Sequence, residues 1–352
     1  MNKKRIPMPV RYLINLTLTV ALWGMLFALI QAGVITNYWS GILVTIGINI
    51  ILTVSLNVAT GSLGQLPLGH AGFMAVGAYA GGIFMKVTPL ASLLKVGNTI
   101  AALPYIVLAL LLSGVVAGVV GLIIGIPALR PRGDYLAIIT LGFGEIIRVI
   151  LTNIDSVLGF EFTGGAAGLK QIPKISSFTL VFICVALTCL VIHMVMKSRH
   201  GRAVLAIREN EIAAESVGIN TTYYKTMAFV MSAFFAGIAG CLYAGYLGSL
   251  FPATFKFMKS IEILVMVVLG GMGSMLGSVV AATVLTVISE LLRSVGDLRM
   301  VFYSLALVLM MIFRPKGLMG SYDFSMSRVL EKLINGEFGR KKSEEDKKGG
   351  DK

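Results

Sequence analysis

An all-α, polytopic membrane protein of about ten transmembrane helices is predicted by three observations. Of the 352 residues, 56% are hydrophobic and only 13% carry a formal charge, at a mean hydropathy of +0.86. A soluble domain of this length would need far more charge to cover its surface. Apolar runs of roughly 20 residues recur along almost the whole chain, and each is long enough to cross a hydrocarbon core about 30 Å thick. Glycine is abundant, at 40 residues, and falls within those runs at the small-xxx-small spacing that lets membrane helices approach closely. The pairs Gly77/Gly81, Gly114/Gly118, Gly121/Gly125 and Gly273/Gly277 predict packing between helices of one chain ahead of a dedicated dimer face.

Taken in order, the spans read as 12–32, 39–59, 66–86, 104–128, 135–153, 178–197, 225–247, 257–273, 276–293 and 297–313. The opening MNKKRIPMPVRY and the apolar run behind it resemble a signal sequence. No small-x-small site closes that run, so an uncleaved first span is expected. The third span is preceded by Gly61, Gly64, Pro67 and Gly69, which predicts a broken or kinked helix just before His70. The eighth and ninth meet at Gly270-Gly271-Met272-Gly273. A glycine run ends a helix, and inside a membrane the break must be satisfied by protein or a cavity. Either two short spans meet there or one re-entrant segment does, and even parity favours two spans.

Residues 1–320 therefore read as one transmembrane domain. From 321 to 352 the chain is charged, ending in GRKKSEEDKKGGDK, a composition that predicts a disordered tail. An even number of spans places both termini on one side. Most of the 30 Lys and Arg residues lie at the N-terminus, around the 198–224 loop and in the tail, so the positive-inside bias puts all three in the cytoplasm of a multi-pass cell-membrane protein. The net charge of +13 does not point to nucleic acid, because no basic, aromatic-bearing soluble domain is present to hold it.

Polar groups inside spans are costly and therefore informative. Glu145 and Arg148 lie three apart on one face of the fifth span and can pair. They read either as a lining of a translocation pathway or as a clamp to a neighbouring helix near the outer surface. His70, at the helix break, and Gly270 and Gly271, at the second break, are further pathway candidates, because broken helices present backbone dipoles to a ligand. His193 and His200 flank the cytoplasmic end of the sixth span and read as ordinary interface residues, while Glu262 and Glu290 lie near span ends, within reach of the aqueous boundary, and are assigned no role. Cys184, Cys189 and Cys241 sit in apolar runs and read as small buried residues. No GxxxxGK[ST], HExxH or Ser/His/Asp arrangement occurs, so no catalytic residue, metal or cofactor is expected.

One hydrophilic stretch breaks the pattern: SRHGRAVLAIRENEIAAESVGINTTYY, residues 198–224. Its charges alternate in sign, Ala213 and Ala214 give it a small-residue centre, and Gly218 is a helix stop. It reads as a short soluble helical element between two spans, of the kind a cytoplasmic partner grips. Arg202, Arg208, Glu211 and Glu215 are expected at the rim of such a contact, where charges set register and partner choice.

Three stretches then carry a resemblance. They are LNVATGSLGQLPLGHAGFMAVGAYA from Leu56, RGDYLAIITLGFGEIIRVILTN from Arg132 with TGGAAGLKQIP after it, and SRHGRAVLAIRENEIAAESVGINTTYYKTMAFVMSAFFAGIAG from Ser198. Up to about residue 320 the chain resembles the LivM-type permeases of branched-chain amino-acid ABC importers. The resemblance implies a pore shared with a second, H-type permease subunit. It further implies two cytoplasmic ATP-binding subunits, an extracytoplasmic binding protein, and leucine, isoleucine or valine as cargo. It makes 198–224 the coupling loop that fits a groove on the ATPase, with Ala213, Ala214 and Gly218 as its helix-and-turn core. Where importers of this broad class often carry Glu before Ala-Ala, this chain has Ile212, with Glu211 and Glu215 on either side. Related permeases carry urea or short amides, so that cargo is the alternative. A stand-alone secondary transporter would need a relay of intramembrane acids, and none is visible.

Overall fold

The computed structural model describes residues 8–95, 99–129, 135–159 and 162–295, together with 305 and 308. The chain divides into two compact units, one spanning Asn37–Ser321; helix α1 (Met8–Gln31) belongs to the other. Most of the expected span 297–313, and the tail 321–352, lie outside the described residues.

The described part of the larger unit is helical, and its one β-feature is an isolated antiparallel bridge between Leu169 and Leu250. The helices are α2 (Asn37–Asn57), α3 (His70–Val87), α4 (Leu90–Lys95), α5 (Thr99–Ala128), α6 (Tyr135–Leu158) and α7 (Phe178–Lys197), followed by α8 (Arg199–Glu209), α9 (Glu211–Ser216), α10 (Thr221–Leu247), α11 (Phe257–Gly270) and α12 (Met275–Leu291). Among the described residues, five helical stretches are long and apolar enough to cross a membrane: Asn37–Ser62, Ala101–Ala128, Tyr135–Val157, Phe178–Lys197 and Thr221–Leu247. The protein is an all-α, multi-pass membrane protein.

Burial sorts these helices. The most apolar stretches of α2 and α10 are 83% and 72% buried, whereas those of α6 and α7 are 11% and 17% buried. α2 and α10 are thus the central pillars, and α6 and α7 turn most of their surface outward. α10 packs mainly on α5 and α3, and α2 on α12, α10 and α7.

Glycine sets how closely the pillars approach. A Cβ on Gly77 would overlap the backbone of Gly237, and one on Gly240 the carbonyl of Met74, so α3 and α10 cross almost backbone to backbone. Gly81 faces Ser113 and Cys241, Gly114 faces Phe234, Gly121 faces Ala233, and Gly277 faces Gly270. The glycine spacing read from the sequence serves packing within the chain at these positions.

Both expected helix breaks occur, with shifted boundaries. α2 ends in a π turn, Val58–Ser62, and the chain then runs without helix to His70. The helix expected from residue 66 therefore begins only at 70. Leu66 and Leu68 extend the apolar pattern, but Gly64 turns at φ +78° and Pro67 disfavours helix at the residue before it. At the second break α11 stops at Gly270 and α12 starts at Met275, with Gly271 and Gly273 at φ +105° and +90°. These φ values suit glycine alone. With 14 residues, α11 is roughly 21 Å long, short of a bilayer core. The chain enters it through a non-helical stretch and a 3-10 turn, Pro252–Phe255.

Candidate functional site

The stretch 198–224 folds as two short helices closed by a left-handed turn. Each start is capped by a side-chain oxygen, which satisfies a free amide of the first turn. Ser198 accepts from Gly201 N for α8, Asn210 from Ala213 N (3.0 Å) for α9, and Asn220 from Tyr223 N (3.1 Å) for α10. Asn210 is extended (φ −159°, ψ 108°) and separates α8 from α9. Gly218 takes φ +84° and closes α9, with its N–H donating to Glu215 O (3.0 Å).

The element is fastened inward by its charges. Lys225, only 4% exposed at the start of α10, forms a 2.6 Å ion pair with Glu211. Thr221 Oγ1 donates to Glu215 Oε1 (2.8 Å). Arg208 Nη1 donates to the carbonyl of Gly61 in the π turn (2.6 Å). Val204, Ile207 and Ala214 are buried beneath it. Arg202, Ala213 and Gly218 are exposed, as are Arg208 and Glu215 despite their inward bonds. So are apolar side chains, foremost Ile212 (69%) and Val217 (76%). Arg208, Glu211 and Glu215 thus hold the element to its own bundle. Sequence reasoning missed Lys225, which reads as one more loop cation, and did not separate the outward apolar pair from the buried Ala214.

The expected pathway residues fall in three places. Glu145 and Arg148 pair at 2.7 Å on α6 with side chains 36% and 27% exposed. Glu145 also accepts from the N–H of Phe257, the first residue of α11 (3.3 Å). It lies ten residues into the helix, about 15 Å along its axis, and so is mid-span, away from either end. Lys259 and Glu262 form a second pair of the same spacing on α11 at 3.1 Å. Leu68, Gly69, Gly72, Glu145, Phe257 and Ser260 surround a small cleft between these helices. His70, 1% exposed, lies inside the bundle with Nε2 3.0 Å from Ser55 Oγ. Gly270 and Gly271 belong to the tip of the α11–α12 hairpin.

A seam of polar groups runs along α2. Asn49 donates to Thr286 Oγ1 (2.9 Å), and Ser55 O accepts from Ser232 (2.8 Å). Asn57 donates to Ser274 O (3.1 Å) and Ser278 Oγ (2.9 Å), and accepts from Gly273 N (2.8 Å). Among the described residues no cluster of three His, Cys, Asp or Glu side chains suits a metal, and the three cysteines are free thiols.

Pillars crossing on glycine, two helices broken at glycines and a capped polar element between two spans define a membrane permease. Residues 38–313 match the family model described as branched-chain amino acid transport system / permease component, and the chain belongs to that family. It is 38% identical over 324 residues to the high-affinity branched-chain amino acid transport system permease protein LivM of Salmonella typhimurium, covering 82% of this chain and 71% of the relative. It is 38% identical to the LivM of Escherichia coli as well, over 82% and 70% of the two chains. The autoinducer 2 import system permease protein LsrC of Salmonella typhi is 30% identical over 54% of this chain and 56% of its own. No solved structure matches.

Proposed function

We propose that this chain is one of two pore-forming subunits of an ATP-driven importer of leucine, isoleucine and valine. A second, H-type permease subunit completes the pore. Two cytoplasmic ATP-binding subunits drive it, and an extracytoplasmic binding protein delivers the cargo. The observation that carries this reading is the α8–α9 element, a capped polar structure fixed to the bundle through Lys225, Thr221 and Gly61. A carrier working alone has no use for it. The membership and the LivM relatives support the cargo class.

In this reading the chain crosses the membrane ten times. The segment 63–87 and the segment 248–270 each count as one crossing, begun by non-α-helical chain and completed by α3 and α11 respectively. Both termini and α8–α9 then lie in the cytoplasm. Ile212 and Val217 are the apolar anchors of the ATPase contact, with Arg202 and Ala213 around them; the buried Ala214 supports the surface from within and the Gly218 turn ends it. The cleft between α6 and α11 that Glu145 lines with Phe257 and Ser260 opens to the pore, because a charged pair such as Glu145–Arg148 midway along a membrane helix belongs beside water or protein and not lipid.

The coupling part of the reading has a direct test. Gly218→Pro imposes φ near −65° where the backbone needs +84°, and Ala214→Leu forces a large side chain into a buried site. Either change should leave the spans in the membrane while ATP-driven uptake falls at least about tenfold and the ATPase subunits no longer copurify. Full uptake by both variants would remove the coupling role from this element.

A further inference from the structure

Three distant segments converge on one glycine. Gly61, in the π turn at the foot of α2, has no room for a side chain: a Cβ there would overlap both Asn57 Oδ1 and the backbone N of Gly273. Its carbonyl is an end-of-helix acceptor, the kind that favours a cation, and it takes the 2.6 Å bond from Arg208. The neighbouring carbonyls of Val58 and Ala59 are already capped, by Leu63 N (3.2 Å) and Gln65 N (3.0 Å). On the other side, the Asn57 amide is held at both ends by the α11–α12 turn, donating to Ser274 O and Ser278 Oγ and accepting from Gly273 N. The aliphatic stem of Arg208 also packs toward Gly64, beyond the π turn.

We infer that Arg208 is a positioning residue that transmits motion of the α8–α9 element to the α11–α12 hairpin through Gly61 and Asn57. This rests on the reading of α8–α9 as the place where an ATPase acts. The bond to Gly61 is charge-assisted and short. The bonds from Asn57 use both ends of one side chain. Between them Gly61 and Gly273 touch backbone to backbone. A junction packed this closely moves as a unit and does not deform smoothly. A displacement of α8 therefore carries the foot of α2 and the hairpin tip with it. Asn49–Thr286, two turns further along α2, passes the same displacement to the far half of α12. A π turn is the local irregularity that frees α2's last carbonyls for this contact, and such turns concentrate at functional positions.

The test uses the full assembly in proteoliposomes, with both permease subunits, the two ATPases and the binding protein, and leucine as the probe. Copurification of the ATPases, ATP hydrolysis and leucine uptake are measured together. Arg208→Met should keep the ATPases bound and hydrolysing, while leucine transported per ATP falls about tenfold or more. Arg208→Lys, which can still reach one carbonyl, should restore a large part of that ratio. Asn57→Asp, which loses both amide donors to the hairpin, should reproduce the uncoupling. An unchanged ratio in Arg208→Met overturns the inference. Loss of the ATPases from Arg208→Met makes Arg208 a contact residue and overturns it too, while leaving the coupling role of the element standing. Failure of all three variants to fold would make the junction a fastening only. Absence of ATP-dependent uptake in the unmodified assembly would instead strike the underlying reading.

Discussion

Gly77→Leu should abolish the folded protein. The position faces Gly237 so closely that even a methyl group overlaps its backbone, and backbone cannot rotate away as a side chain can. The clash falls where α3 meets α10, one of the two pillars of the bundle. Separating them would also strip Gly240 from Met74 and Gly81 from Cys241. Overpacking in a tolerant core costs about 1–3 kcal/mol; here three close contacts open together, against a total stability of roughly 5–15 kcal/mol for a typical fold. Monodisperse protein extracted from membranes should fall at least about tenfold. Gly118→Ala is the contrast: its nearest neighbour to a new Cβ is Val230 at 3.7 Å, an ordinary contact, so yield should hold.

Glu145→Gln should act on transport and spare the fold. The substitution keeps the size of the side chain and the bond from Phe257 N, but removes the charge that pairs with Arg148. An unpaired guanidinium mid-span is costly in lipid and much less so beside water. If the α6–α11 face lines the pore, the variant should reach the membrane at near-normal levels with uptake reduced about tenfold, because a lone positive charge then stands in the path of a zwitterion. Removing both charges, as Glu145→Gln with Arg148→Gln, should recover part of that loss. Equal declines in membrane level and uptake would mean that Glu145 is a structural clamp between α6 and α11.

How much of this was legible depends on the range over which each cause acts. The span expected at 178–197 coincides with α7, whose ends are set locally, by the cap at Ser177 and the extended Ser198. The break before His70 was readable from Gly64 and Pro67, although Leu66 and Leu68 drew the start four residues early. The two-helix element was visible as polarity between apolar runs. Its internal wiring was not. Alternating charges on a short helix look the same whether they face a partner or fold back, and only the folded chain assigns Arg208 to Gly61 and Glu211 to Lys225. Asn57 is the clearest case of what sequence hides. It stands as one polar residue in an apolar run, and the groups that explain it lie more than 200 positions away, at Gly273 to Ser278. Nothing local to either segment signals the other.

An importer powered from outside this chain makes uptake depend on ATP and on the binding protein together. The most direct measurement is leucine uptake into proteoliposomes holding this chain, an H-type permease subunit and the two ATPases, with ATP and the binding protein each present or omitted. Uptake that requires both, and that isoleucine and valine compete away, is the predicted result. Leucine uptake by this chain alone, driven by an ion gradient and indifferent to ATP, would contradict it.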